Sequence, residues 1–211
     1  ISAAKSGDEA DGFEDMSFSG KIGLKPNEIS NIEVAGGYSE STSGLDGFDM
    51  MTYEAADDLN YEENAKRYRV SAKGSIYLRD KWEQILTYSI QRDSIKGEDP
   101  DTLFNNYEIE TGKDVIDWQH NVYEDHNTLT FGAEYTKGTV NNTDTTTGAV
   151  VFDDAVTNKA AYVNTNIKGG ELTIHGGARY DDHETAGEKL TYKVGASEYR
   201  KAAGLTVRAS Y

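Results

Sequence analysis

Along most of this chain apolar residues recur at every second position, in runs cut by short turns. Met16, Phe18, Gly20, Ile22 and Leu24 share one side of the first run, and Ser17, Ser19, Lys21, Gly23 and Lys25 the other. After Pro26-Asn27-Glu28 the pattern resumes as Ile32, Val34, Gly36 and Tyr38 against Asn31, Glu33, Ala35, Gly37 and Ser39. Successive side chains of a strand point to opposite faces, so period two predicts strands with one apolar and one polar face. Two such runs around a tight turn predict a hairpin. Tyr68, Val70, Ala72, Gly74, Ile76 and Leu78 return through Arg79-Asp80-Lys81 as Trp82, Gln84, Leu86, Tyr88 and Ile90. Leu129 to Tyr135, Leu172 to Tyr180, Leu190 to Ala196 and Leu205 to Tyr211 repeat the alternation. Helical period is almost absent.

The fold class expected is all-β, an antiparallel meander of about ten strands, mostly of about 8–12 residues, the length a tilted strand needs to cross a bilayer. Tyr107 to Tyr123 is less regular, and a phase change near Gly112 predicts a bulge there. Turns near residues 26, 80, 125, 169 and 201 are tight, whereas segments 41–64, 93–106, 138–158 and, less markedly, 182–188 are longer. Long loops at one end and tight turns at the other characterise outer-membrane barrels. Tyr38, Tyr77, Tyr135 and Tyr180 sit near strand ends, where an interfacial aromatic girdle belongs. A soluble antiparallel sandwich shares the alternation. Loop-length segregation and low aliphatic content favour the membrane reading.

The composition fits that reading. Leu, Ile, Val and Phe make up about 18% of the 211 residues, a level that with high net charge usually means disorder. Yet there are 14 Tyr, 21 Gly and only 2 Pro, which disordered chains do not show. A barrel with a wet interior needs little conventional core and reconciles the counts. The net charge of −16 argues against a nucleic-acid partner. With no cysteine, disulfide scaffolds, thiolate metal sites and cysteine nucleophiles are excluded. No apolar run reaches the ~18 residues of a spanning helix, and Ile1 opens no signal peptide. Such a segment was removed, or the chain is cut from something longer. Residues 1–211 read as one domain.

Three side-chain clusters invite a functional reading. Asp8, Glu9, Asp11 and Glu14 precede the first strand, and Asp46, Asp49, Asp57 and Asp58 occupy the next long loop on the same side. Carboxylates on adjoining loops are hard oxygen ligands of the kind Ca²⁺ takes. The paired steps Asp11-Gly12-Phe13 and Asp46-Gly47-Phe48 make Asp8, Asp11, Asp46 and Asp49 the expected calcium ligands. The spacing is not that of an EF-hand, and a solvated acidic loop set is the alternative. His126, after Glu124-Asp125, and His183, after Asp181-Asp182, invite an acid/base or metal reading, but they belong to opposite ends of the strands and cannot share a site. No catalytic residue is expected, and calcium is the one cofactor the loops suggest. Lys66, Arg67, Arg69 and Lys73 form a basic cluster expected to face the lumen, as an anion path, a lipopolysaccharide contact or a polar wall paired with acidic neighbours.

Several segments carry a family resemblance. Asn127-Thr128-Leu129-Thr130-Phe131-Gly132-Ala133-Glu134-Tyr135 resembles a barrel strand of TonB-dependent outer-membrane receptors. So do Ala178-Arg179-Tyr180-Asp181-Asp182-His183 and Lys189 to Ser197, and Gly204 to Tyr211 is similar to the strand before a Gly-Thr-Gly-Phe-type loop. Ile1-Ser2-Ala3-Ala4 to Asp11-Gly12-Phe13 is similar to a loop-to-strand passage, particularly of the cobalamin-receptor branch.

The resemblance implies a section of a 22-strand receptor barrel in the bacterial outer membrane, for uptake of a scarce metal-chelate or cobalamin-like nutrient. It also implies calcium in comparable acidic loops and a structural role for Asp181-Asp182-His183. Plug domain and TonB box are missing from this sequence, so TonB is reached only through an N-terminal region outside it. The other partners implied are outer-membrane lipid, lipopolysaccharide and the nutrient. An unclosed ten-strand sheet also leaves two edges open to self-association. A self-contained small barrel, porin or outer-membrane hydrolase, is the alternative.

Overall fold

Hydrogen-bond ladders between successive runs turn the alternation into one sheet. In the computed structural model, residues 4–6, 9–48, 51, 55–56, 58, 60–200 and 204–210 are described. The strands are β1 (Ala4–Ser6), β2 (Glu9–Asp11), β3 (Phe13–Asn27), β4 (Ser30–Gly44), β5 (Gly47–Phe48), β6 (Ala55–Ala56) and β7 (Glu62–Arg79). β8 (Trp82–Glu98), β9 (Tyr107–Glu124), β10 (Asn127–Asp144), β11 (Ala149–Gly169), β12 (Leu172–His183), β13 (Gly187–Arg200) and β14 (Leu205–Ser210) follow. Ten of them form an antiparallel sheet in the order β14-β13-β12-β11-β10-β9-β8-β7-β4-β3, a pure meander. β1 with β2 and β5 with β6 make two small ribbons. No described residue is helical.

On one side of the meander two-residue turns join β3 to β4, β7 to β8, β9 to β10 and β11 to β12. Asp125 opens one with φ of +48° and Gly170 another with φ of +63°. Positive φ at the first central residue matches the right-handed twist of flanking strands, and Gly and Asp tolerate it best.

The strands are longer than the sequence pattern suggested. β10 and β11 run on to Asp144 and from Ala149, so most of the expected loop 138–158 is paired strand around a turn at 145–148. β8 likewise continues to Glu98, leaving 99–106 as the connection, and β12 to β13 turns at 184–186. Eighteen residues rise about 60 Å, far more than a tilted strand needs to cross a bilayer. The excess stands beyond the membrane. There both faces of a strand are wet, so alternation fades while the ladder goes on.

The bulge expected at Gly112 is also absent, since β9 keeps its register with both neighbours there. Register shifts fall instead at Leu24/Asn27, Tyr77/Arg79 and Asn142/Thr143.

Register also settles the faces. Phe18 lies opposite Tyr38, Tyr38 opposite Tyr68, Ile22 opposite Val34, and Val34 opposite Ala72. Following the ladder across the sheet puts Phe18, Ile22, Val34, Val70, Ile76, Leu86, Phe131, Ile174, Tyr192 and Val207 on one face, as the alternation required. These side chains are exposed, Ile22 at 70% and Tyr192 at 66%. Among the described residues only Ile85 and Ala160 are buried apolar residues. A soluble protein cannot leave an apolar face of this extent uncovered. The face therefore fits a hydrocarbon solvent.

Tyr38, Tyr68, Tyr135 and Tyr180 border the apolar band on its loop side. From the row of Tyr38 to Tyr180 the register falls six residues over six strand steps. A level girdle then requires strands tilted by about 35°, at the lower end of the range for outer-membrane barrels. Tyr77 does not belong to this girdle. Its register partner is Glu83, on the opposite face and at the turn end.

Candidate functional site

The face opposite the apolar band is mostly polar, with Ile85 and Val115 among its exceptions, because the same period two that exports Val70 and Leu86 imports Arg69 and Thr87. Its polar groups pair laterally. The Tyr162 hydroxyl donates to Asp117 Oδ2 at 2.9 Å, and Arg179 spans Glu134 and Asp181 at 2.8 and 2.9 Å. Asn158 Nδ2 donates to Asp181 Oδ1 at 2.9 Å. Nearer the turns, Tyr123 and Asn121 both donate to Glu83 Oε2. Gly132 makes room for Tyr162. A Cβ there would stand 2.5 Å from both the Tyr162 hydroxyl and the Trp118 carbonyl.

A concave region of about 860 Å³ opens on β3, β4, β7, β8 and β9, with Lys21, Arg69, Ser71, Ser89, Gln91 and Lys113 among its lining. No carboxylate lines it. Of the basic cluster, Arg67 pairs with Asp93 on the same face. Lys66 does not face the lumen. Its position is one residue out of phase with Arg67, and it pairs outward with Glu40 at 3.3 Å.

The loop-side connections join one another. Asp99 is fully buried, and its carboxylate accepts from Asp101 N at 3.1 Å and Asn105 Nδ2 at 3.0 Å. The Asn106 side chain accepts from Asp99 N at 2.9 Å and donates to the carbonyls of Asp99 and Thr102 at 3.1 and 2.8 Å. Asn60 Nδ2 donates to Asp101 Oδ2 at 3.0 Å, and Thr145 N to the Asn106 carbonyl at 3.1 Å, tying three connections together. At the foot of this assembly, burial and then the acceptor Glu63 push the Tyr107 phenol well above its ordinary pKa. Nothing in the composition announced this hub. Asp and Asn seven apart in a loop were its only signal.

The structure scatters the histidines, as the sequence required. His126 lies in the β9–β10 turn, while His183 Nδ1 accepts from Thr185 N and Ala186 N and so caps the turn at the other end. His120 faces outward between Trp82, whose indole donates to its Nδ1, and Phe131, stacked at 4.9 Å. His175 faces inward against Gly195.

Of the expected calcium ligands, Asp8 and Asp49 lie outside the described residues, and only the backbone of Asp11 is described. Asp46 is exposed. Asp58, in the same loop, caps its own turn by accepting from Asn60 N and Tyr61 N. Among the described residues no three His, Cys, Asp or Glu side chains converge on a metal position.

No curated protein matches the sequence. Solved structures do. The siderophore receptor PirA from Pseudomonas aeruginosa superposes with a TM-score of 0.72 at 15% identity, over 94% of this chain and 32% of that one. A mutant of the ferric enterobactin receptor PfeA from the same species gives 0.71 at 16% identity, over 95% and 33%. The RagAB peptide importer in its open-open state gives 0.69 at 10% identity, over 96% and 32%. The chain thus spans about a third of the receptors and importers it resembles. The family model described as "TonB dependent receptor-like, beta-barrel" matches residues 7–211. The chain belongs to the TonB-dependent receptor-like β-barrel family.

Proposed function

We propose that this chain forms a section of the wall of an outer-membrane transport receptor that takes up a scarce nutrient, a metal chelate or cobalamin-like ligand. One observation carries the reading, a single-layer sheet with a broad apolar band outside, a hydrogen-bonded polar wall inside and almost no buried core among the described residues. Members of the family are transporters, not enzymes. β3 and β14 each pair on one side only among the described residues, so further strands of the receptor close the barrel. The joined loop-side connections then shape the mouth where ligand enters. Energy comes from TonB acting on a region outside this chain. The outer surface meets lipid and, on the loop side, lipopolysaccharide.

Two measurements test this. The chain has no cysteine, so Val70→Cys and Ser71→Cys each give a spin-label site that is unique within it. In liposomes the Val70 label should be accessible to oxygen and shielded from a water-soluble relaxant, and the Ser71 label the reverse. Equal accessibility at both sites removes the barrel wall. Uptake of labelled ferric chelates and cobalamin by cells with and without TonB tests the transport step, and TonB-independent uptake contradicts it.

A further inference from the structure

We propose that the outer face of β8 and β9 is a pairing surface for a second copy of this chain, joined within the bilayer by reciprocal hydrogen bonds between Gln84 and His120. The inference rests on the reading of this chain as a receptor wall and adds a partner for its lipid side.

The observation is a polar pair set in hydrocarbon. On β8 to β11, between the tyrosine girdle and the tight turns, three polar residues interrupt the apolar band: Gln84, His120 and Thr165. Thr165 meets its own need by donating to the Thr128 carbonyl at 3.3 Å. Gln84 and His120 do not. They are direct register partners in the row Ile76, Gln84, His120, Phe131. Among the described residues the Gln84 amide has no hydrogen-bond partner, and His120 has one only at Nδ1.

That one bond fixes what the other ring nitrogen offers. Nδ1 accepts from the Trp82 indole at 3.1 Å, so the neutral ring carries its proton on Nε2 and is a donor there. The ring is 9% exposed, packed edge-on by Trp118 at 4.8 Å and stacked on Phe131 at 4.9 Å, which holds it in place. Gln84 beside it supplies a carbonyl acceptor.

At a strand tilt near 35°, His120 lies about 3 Å and Gln84 about 6 Å on the turn side of Leu86, both short of the level of Trp82. Lipid tails have neither donor nor acceptor, so an unmet polar group there is costly. A protein surface at the same depth answers both groups, and a second copy presents the matching pair. A two-fold axis along the membrane normal keeps depth and exchanges left for right. Placed between β8 and β9, it brings Gln84 of one copy to His120 of the other and the reverse, two equal bonds at one level. Leu86 and Trp118, 53% and 47% exposed on either side of that axis, supply the packing.

The test uses the receptor carrying this chain, in outer-membrane vesicles and in detergent, with the unsubstituted receptor as background. Leu86→Cys, close to the axis, should be joined to a second copy by a short bis-maleimide and give a dimer on denaturing gels. Ile174→Cys, on the same face but three strands beyond β9, should not. By sedimentation in detergent, Gln84→Leu and His120→Leu should each weaken dimerisation about tenfold or more. The double substitution should weaken it no further, because either change removes both reciprocal bonds. Gln84→Leu should leave the monomer as heat-resistant as before or more so, since it takes an unmet amide out of hydrocarbon.

No linked dimer at Leu86→Cys, equal linking at Leu86→Cys and Ile174→Cys, or dimerisation unchanged in both leucine variants overturns the proposal. A product that joins Leu86→Cys to a different protein overturns it too. So does a less stable Gln84→Leu monomer, which would give the amide a role inside one copy. If the Val70/Ser71 spin-label pattern fails, the receptor-wall reading falls. If that pattern holds and Leu86→Cys does not link, only the pairing falls.

Discussion

Exchanging Leu86 for arginine tests the placement of the membrane most directly. Leu86 is on the outer face of β8, six residues from Arg92 on the loop side and four from Trp82 at the turn. At about 3.4 Å per residue and a tilt near 35°, it lies about 17 Å below the level of Arg92 and about 11 Å above Trp82. These distances span about 28 Å, close to the apolar band of an outer-membrane barrel, with Leu86 near its centre. Its side chain is 53% exposed, so protein neighbours offer little shelter to a charge.

Arginine at the midplane of such a face costs about 2–4 kcal/mol. At 1.4 kcal/mol per decade this is roughly a 30- to 700-fold loss in the folding equilibrium. Thr87→Arg, one residue on, enters the polar interior and should cost about 1 kcal/mol or less. Urea titrations of folding into phosphatidylcholine vesicles, read by heat-modifiable migration, separate the two. Equal costs for Leu86→Arg and Thr87→Arg, or a larger cost for Thr87→Arg, would refute both the face assignment and the depth.

Two further outcomes follow from the loop side. Asn106→Ala removes three hydrogen bonds and strands the buried Asp99 amide, at a cost of about 2–3 kcal/mol to the 99–106 connection. Limited proteolysis should cut there at least tenfold faster, and an unchanged rate contradicts the hub. Asp144 accepts from Thr146 N and Thr147 N at 2.8 and 3.1 Å, and these bonds, that of Thr147 foremost, lower its pKa. A depressed carboxylate stabilises above its unfolded pKa of about 3.9 and loses that contribution as pH falls through the lower folded value. Hydrogen exchange at Thr146 and Thr147 should therefore lose protection, relative to Asp144→Asn, only below about pH 4.

The faces were legible because they depend on parity alone. Phe18 and Ile22 needed no knowledge of partners to be placed together. The same rule, applied residue by residue, separates Lys66 from Arg67 and Tyr77 from Tyr38. Grouping a basic cluster or a set of tyrosines by proximity in sequence hides this.

Strand length was not legible, because Thr, Asn and Asp in 138–158 are turn-formers by composition yet pair as regular ladder. Their backbones satisfy one another whatever the side chains prefer, and Val140, Val150 and Phe152 were the remaining strand signal. The hub at Asp99 and Asn106 depends on contacts between connections and leaves no periodic trace. The acidic loop of Asp46 and Asp49 is legible as charge but not as geometry.

The membrane boundary is written into the sequence twice. Between the tyrosine girdle and the tight turns, most apolar residues point out and most polar ones in, with Gln84, His120, Thr165 and Ile85 as exceptions. Above the girdle the assignment reverses. Glu108, Glu110, Asn141 and Asp153 take the outer face, and Ile95, Ile109, Val140 and Phe152 the inner one, linked by the pairs Ile95–Ile109, Ile109–Asn142 and Asn142–Phe152. The irregularity that suggested a bulge at Gly112 is this reversal, read along β9 as a change of phase. Water on both sides of the projecting strands leaves no reason to export apolar side chains. The girdle and the inversion rest on different residues, yet both put the outer edge of the bilayer just above Tyr38, Tyr68 and Tyr135. A bilayer shifted by one outward-facing step would have to submerge Lys66, Arg92, Lys137 and Lys159 or strip lipid from Leu24, Leu78 and Leu172.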